Sequence, residues 1–372
     1  MFRKRKDIRY WLCKKVIILY FIYDHTDNPW IGGGGAVRTY EIGRRLSEKG
    51  HKILVVSGNY PGAKDYKRGN LRFRFLGIKR SYILSILSFP IYAFIFLKKN
   101  YKRFDVIVED LAPWNPIFAY RIKKEKPVIL QLHQKEGKNI LKRYNIFGLP
   151  FVFLEKYYPK KYQPNIIFVS DICQKRYGLP GTVIPNGIEK ALLDYQIKKG
   201  SYVLFIGRLD IFHKGLDMLF EALKGLDIQL VIAGKGRDED KVRSLSEGLA
   251  SEFVGFVEGE KKIETIRKAK FLVMPSRYEG QPLVSLESAA LGKPILVSDI
   301  DELSFVVKNG FGISFRLNDI KDLREKLLFL WKRDDLLIEM GKKGREFAKD
   351  FVWEKIAERY EKFLLSVKKR HT

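Results

Sequence analysis

"VIILYFIYDHTDNPWIGGGGAVRTYEIGRRLSEKGHKILVVS", residues 16–57, passes from an apolar run through a glycine loop into an amphipathic pattern and out to a second apolar run. The first run, residues 16–23, is short and nearly continuously apolar, as a parallel strand buried on both faces must be. Gly32 to Gly35 follow. Glycines permit positive φ and close approach of a ligand to the backbone, and a helix starting near Ala36 or Val37 offers its N-terminus to anionic oxygens. "HKILVVS", residues 51–57, reads as the next strand. Strand, helix and strand in this length form a βαβ unit with parallel pairing. The glycines do not follow G-x-G-x-x-G, which disfavours a nicotinamide dehydrogenase.

The same alternation continues outward. "FDVIVED" (104–110), "PVILQLH" (127–133) and "NIIFVS" (165–170) extend a first series of strands. "SYVLFIG" (201–207), "IQLVIAG" (228–234), "FLVMPS" (271–276) and "PILVS" (294–298) form a second. Two series in 372 residues predict an α/β chain of two Rossmann-like doubly wound domains, because one core does not grow to that size. The predicted boundaries are 1–187 and 188–351, at the turn Pro185-Asn186-Gly187, with a C-terminal helix, 352–372, packing back on the first domain. Open α/β sheets bind ligands beyond the carboxyl ends of their strands, so the cleft there is the place to look.

Composition narrows the class. With 46% hydrophobic and 13% aromatic residues the chain can bury two cores, which excludes a disordered protein. Cys13 and Cys173 make neither a disulfide framework nor a metal cluster, which fits a reducing cytoplasm. Five scattered histidines offer no paired ligand spacing, so no metal is expected. The net charge is +27, and residues 1–200 hold nearly all of it: 39 basic against 15 acidic there, 31 against 28 in the rest. A one-sided basic field points to a polyanion, either nucleic acid or an anionic membrane surface. Helix-turn-helix, RNP and zinc patterns are lacking, and the aromatics lie in apolar runs instead of alternating with Lys/Arg, so nucleic acid is disfavoured. The start, "MFRKRKDIRYWLCKK", is similar to the basic region of a signal peptide but runs into a strand without a small-residue cleavage site. "SYILSILSFPIYAFIFL", residues 81–97, is an uncharged stretch between Lys79-Arg80 and Lys98-Lys99 with Pro90 at its middle. It is at the lower edge of a bilayer span, and a span would put the Rossmann pieces flanking it on opposite sides of the membrane, which disfavours that reading. A buried helix and an interfacial helix are the other readings, and the basic field favours the interfacial one.

Two motifs in the second series carry chemistry. "FIGRLDIFHKGLDMLFEAL" places Arg208 and Lys214 between a strand end and a helix start, where a planar fork and a point charge can clamp a diphosphate. "EGQPLVSLESAALGKPILVS", residues 279–298, holds Glu279 in a turn and Glu287 in the first turns of a helix. An acceptor-only carboxylate is the right partner for a vicinal diol.

Nine segments in order, among them "GGGGAVRTYEIGRRLSEKGHKILVVS", "LQLHQ", "FVSDI", "VIPNGIE", "GRLDIFHKG", "VIAGKG", "FVGFV", "PSRYEGQPLVSLESAALGKPILVS" and "NGFGISF", resemble the retaining glycosyltransferases of GT-B architecture, family four. The resemblance implies that Glu287 accepts from the ribose hydroxyls of a nucleotide-sugar donor and that Glu279 touches the donor sugar. The backbone of Gly280, Gln281, Pro282 and Leu283 would face the diphosphate, with Arg208 and Lys214 neutralising it as it leaves. His133 would line the sugar site, Gly234 and Phe256 would approach the base, and Gly34, Gly35 and Gly207 would lie along the donor. No cofactor or metal is implied. The acceptor would be lipid-linked or a glycan, and the enzyme peripheral to the inner face of the cell membrane. Two departures from the pattern stand out. Gln281-Pro282 replaces aromatic-Gly and removes a backbone donor, and residues 298–307 lack a glycine pair. An inactive GT-B scaffold at the membrane is the competing reading, and the intact Glu279/Glu287 and Arg208/Lys214 sets oppose it.

Overall fold

The computed structural model describes residues 15–371 apart from Ile31 and Pro113. The basic start and Cys13 lie outside the described residues. The chain divides into two units, residues 1–185 together with 354–372, and Asn186–Trp353. The division falls at Pro185/Asn186 instead of 187/188.

In the first unit, eight strands are ordered β3-β4-β2-β1-β5-β6-β7-β8. They are β1 (Ile17–Phe21), β2 (Lys52–Gly58), β3 (Tyr66–Arg68), β4 (Leu71–Leu76), β5 (Val106–Asp110), β6 (Val128–Leu132), β7 (Ile166–Phe168) and β8 (Thr182–Val183). All pair in parallel except the β3–β4 hairpin. β5 and β6 are buried at every position, as central parallel strands covered on both faces must be. "LRFRFL" of β4 alternates buried and exposed instead, a two-residue period that places one face outward near the sheet edge.

The first helix, Gly34–Glu48, starts earlier than the sequence suggests: Val37 N already donates to the carbonyl of Gly33. The glycines ahead of it are also there for another reason. None of Gly32 to Gly35 has a positive φ. A Cβ at Gly32 would lie 3.0 Å from the Thr26 carbonyl, and one at Gly35 would lie 3.4 Å from His133 Nε2. Room, not left-handed backbone, is what they supply.

The C-terminal helix, Trp353–His371, buries Ile356, Ala357, Tyr360, Leu364 and Val367 at helical spacing. Its rim pairs Arg45 with Glu354 (2.8 Å), Lys49 with Glu361 (2.6 Å) and Lys368 with Asp105 (3.0 Å). A solvent-exposed pair such as Lys49–Glu361 contributes about 0–1 kcal/mol, whereas each large apolar side chain removed from water contributes about 1.5–3 kcal/mol, so the stripe holds the helix and the pairs set its register.

The uncharged stretch forms the helix Tyr82–Asn100, capped by Ser81, whose Oγ accepts from Leu84 N. By length and composition residues 82–103 could cross a membrane, and 28% of that stretch is buried. Its neighbours forbid crossing. β4 before it pairs with β2, β5 after it pairs with β1, and all four belong to one sheet. The fully buried reading fails as well, since Ile83, Leu87 and Ile91 are exposed.

The second unit is a six-stranded sheet, ordered β11-β10-β9-β12-β13-β14 and parallel throughout. Its strands are β9 (Tyr202–Ile206), β10 (Leu230–Ala233), β11 (Ser251–Gly255), β12 (Ala269–Met274), β13 (Ile295–Ser298) and β14 (Gly312–Phe315). One core packs Phe205, Phe220, Phe271 and Leu327 on one face, and a second packs Leu204, Leu272, Leu286 and Phe311 on the other. The loops leaving β9, β10, β11 and β12 carry the candidate donor residues.

Candidate active site

In the second unit the loop after β9 and the loop after β12 close on each other. Asp210 caps the single turn Ile211–Lys214, its Oδ1 accepting from His213 N at 3.0 Å. Gly215 ends that turn at φ +65, where a Cβ would lie 2.0 Å from the Pro275 carbonyl, so only glycine fits. Arg277 N donates to the His213 carbonyl (2.9 Å). His213 Nε2 faces the Tyr278 carbonyl at 2.8 Å and therefore carries the proton, while its ring stacks on Tyr278 with centroids 3.9 Å apart. Burial, aided by the Lys214 charge, pushes His213 down to about 4, so it is neutral at pH 7.

Within this closed frame Lys214 Nζ meets Glu279 Oε1 at 2.5 Å, and Ser276 Oγ donates to the same oxygen at 2.6 Å. Glu279 is buried. Burial alone would raise its pKa, but the Lys214 charge, His213 and the two hydrogen bonds outweigh that and hold the carboxyl below its ordinary value. Arg208 is exposed just past the end of β9, near enough for its charge to act on His213.

Gly207 and Gly234 serve the backbone. Gly207 N donates to the Ala233 carbonyl (3.0 Å) and Gly234 N to the Gly255 carbonyl (2.8 Å). A Cβ on Gly234, at φ +151, would lie 1.9 Å from the Gly207 carbonyl. These glycines let three strand ends converge. Beside them Phe256 is 55% exposed, with Lys235 Nζ 4.5 Å from its ring centroid. That open aromatic face is suited to a flat heterocycle.

Glu287, in the helix Leu283–Ala290, accepts from Lys262 Nζ at 2.6 Å. Lys262 comes from the helix Gly259–Lys268 and was not singled out in the sequence. Gln281 behaves differently from the expectation for a donor-facing residue: its Oε1 accepts from Asn186 N (2.6 Å) and its carbonyl from Asn186 Nδ2 (2.8 Å). Its side chain ties the start of the second unit to the turn. Pro282 is the N-cap of the helix, with extended backbone and no side-chain cap, and Gly280 and Leu283 flank it half-buried.

The first unit assembles a separate set. His133 follows β6, and its Nε2 lies 2.8 Å from Asp110 Oδ2 at the end of β5. A carboxylate oxygen only accepts, so Nε2 holds the proton and Nδ1 is left for a ligand. The same Asp110 oxygen accepts from Gln131 Nε2 (2.7 Å) and Tyr20 OH (3.2 Å). Gln131 Oε1 accepts from Arg38 Nε (3.2 Å), and Arg38, wholly buried, donates to the carbonyls of Ile184 (2.8 Å) and Pro185 (2.5 Å). Gly35 stands next to His133, and Gly34 is exposed in the first helical turn. The sequence reading found His133 and missed Asp110, although a carboxylate closing the apolar run "VIV" was a visible signal.

Comparison with known proteins agrees with this arrangement. The model of Glycosyltransferase Family 4 matches residues 32–192, and that of Glycosyl transferases group 1 matches residues 193–347. An uncharacterized glycosyltransferase of Methanocaldococcus jannaschii is 33% identical over 177 residues, which cover 46% of this chain and 50% of that protein. A phosphatidyl-myo-inositol mannosyltransferase of Mycobacterium leprae is 29% identical over 276 residues, 68% of this chain and 71% of that protein. The chain thus spans about half the length of the first relative and more of the second. Among solved structures, the sucrose-phosphate synthase of Thermosynechococcus elongatus superposes with a TM-score of 0.79 at 18% identity, over 96% of this chain and 100% of that one, a likeness of fold. A parallel-sheet unit of each matching type, joined in family order, makes the chain a member of the GT-B glycosyltransferases, with a family 4 domain followed by a group 1 domain.

Proposed function

We propose that the protein is a retaining hexosyltransferase that moves a sugar from a nucleotide-diphosphate donor to a lipid-linked or glycan acceptor at the inner face of the cell membrane, without a metal. The observation that carries this reading is the cluster of half-buried Lys214 with buried Glu279 and Ser276 beyond the ends of β9 and β12. As the bond between the anomeric carbon and the diphosphate breaks, its electron pair goes to the diphosphate. A fixed ammonium there stabilises the developing charge without reorganising at the moment of reaction. Glu279 orients that ammonium and keeps lone pairs for sugar hydroxyls. Glu287 takes the ribose diol, the exposed Phe256 face takes the base, and His133, fixed by Asp110, offers Nδ1 to the sugar. The mycobacterial relative's lipid acceptor and the +24 charge of residues 1–200 support a lipid-linked acceptor here.

A panel of nucleotide-sugars tests the reading, scored by thermal stabilisation and by release of the nucleotide diphosphate. One or more should stabilise and be consumed in excess chelator, and the product should keep the donor's anomeric configuration by NMR. Inverted product, or activity lost to chelator and restored by magnesium or manganese, would refute the mechanism.

A further inference from the structure

The helix Tyr82–Asn100 carries no charge before Lys98, yet the described residues cover only one side of it. Ser85, Ser88, Phe89, Ala93 and Leu97 turn inward. Opposite them Leu84, Leu87, Ile91 and Ile95, spaced three or four apart, form one stripe and are 43%, 59%, 61% and 47% exposed. Ile83 and Tyr92 widen it. A surface helix of a globular protein ordinarily turns a polar face outward, and a continuous exposed apolar patch marks an interaction site.

Charge says what covers the stripe. Residues 66–104 contain no Asp or Glu, while Lys79-Arg80 precede the helix and Lys98, Lys99, Lys102 and Arg103 close it. A second copy of the chain laid on this face in either direction would bring cations against cations. An anionic lipid surface accepts the apolar stripe and the cations together. A further exposed set belongs to the same unit: Phe147, Phe153 and Tyr157, with Lys156 and Lys160 over the Tyr157 ring at 5.2 and 5.3 Å. Arg121 links this region to the helix, lying 5.8 Å from the Phe94 ring and 5.5 Å from Phe118, whose ring meets Tyr158 at 5.5 Å.

We infer that the first unit docks on an anionic bilayer through the outer face of Tyr82–Asn100, the helix lying in the membrane plane with its stripe at the acyl boundary and its terminal cations among the headgroups. This deepens the proposed function, on which it rests only for the lipid-linked acceptor.

The test floats the full-length protein with vesicles of phosphatidylcholine alone, or mixed with phosphatidylglycerol, at low and high salt. Nucleotide-sugar consumption is measured on the same samples. Wild type should float with the anionic vesicles and be partly released by salt, since headgroup attraction is screened over ~8 Å at physiological ionic strength. Leu87→Asp/Ile91→Asp should lower the partition at least about tenfold while keeping the wild-type melting temperature, because both positions face solvent. Ile91→Ser should move the same way by less, and Lys98→Glu/Lys99→Glu should reduce the salt-sensitive part. Flotation unchanged in the double aspartate variant would overturn the proposal. So would failure to float on either vesicle, or a dimer that this variant dissociates. Donor consumption without flotation sinks the docking alone, and flotation with neither thermal stabilisation by nor consumption of any nucleotide-sugar sinks the nucleotide-sugar reading alone.

Discussion

The two units hold their candidate side chains in opposite ways. In the second, the Lys214–Glu279 pair sits where two loops are locked by glycines that tolerate no side chain, Gly215 against the Pro275 carbonyl and Gly234 against the Gly207 carbonyl. In the first, His133 is 25% exposed and is fixed from behind by one Asp110 oxygen that also serves Tyr20 and Gln131. One site is rigid through backbone contact. The other is positioned by a network of side chains that reaches, through Arg38, the carbonyls of Ile184 and Pro185. Rigid charge suits a leaving diphosphate that is the same for every acceptor, and a side-chain network can be retuned for one.

The comparison breaks most visibly at Lys214. Lys214→Ala should lower turnover at least ~100-fold, because a preorganised charge is lost. It should also lower the melting temperature, since Glu279 is left buried without its cation, at a cost of about 3–5 kcal/mol. Lys214→Met/Glu279→Gln should recover stability and not turnover. Near wild-type turnover in Lys214→Ala would make the pair a structural brace.

His213 sharpens the contrast through pH. Its folded value, about 4, lies below the ordinary 6.5, so between these values the unfolded chain binds more protons and stability falls as pH falls. The span corresponds to about 3 kcal/mol lost from pH 6.5 down to pH 4. Denaturant titrations across that range should show the slope, and His213→Gln should flatten it. An unchanged slope in the variant would place the sensitivity elsewhere.

Glu287→Gln should act on binding. Losing the charge-assisted bonds to a diol costs about 1.5–3 kcal/mol, roughly ten- to a hundredfold in donor KM, with kcat little altered because ribose contacts are alike in ground and transition states. A fall in kcat at constant KM would remove Glu287 from the ribose.

Asp110→Asn should cost about tenfold in kcat/KM. The double variant Asp110→Asn/His133→Ala should be no worse than His133→Ala, since one residue acts through the other. Additive losses would give Asp110 a role of its own.

What was legible in the sequence follows from periodicity. β1, β2, β5, β6, β7, β9, β10, β12 and β13 stood out because parallel strands covered on both faces are continuous apolar runs. β4, with polar alternate residues, and β14, an edge strand whose two middle residues are only partly buried, carry weaker patterns and were not singled out as strands. Glu279, Glu287, Lys214 and His133 were named because they sit in ordered motifs.

Their pairings were not legible, and neither were Lys262 and Asp110, because contact depends on how loops converge. Lys262 and Glu287 are 25 positions apart, Asp110 and His133 are 23, and Lys214 and Glu279 are 65. The glycines show the same limit: four in a row suggested left-handed backbone and had none, while isolated Gly215 and Gly234 met carbonyls that only the fold brings near. For residues 81–97, sequence by itself determined an uncharged helix bracketed by cations. The strand patterns on either side of it already argued against a span, and only tertiary structure decided which side stays bare, because that depends on how the helix packs on β2 and β4.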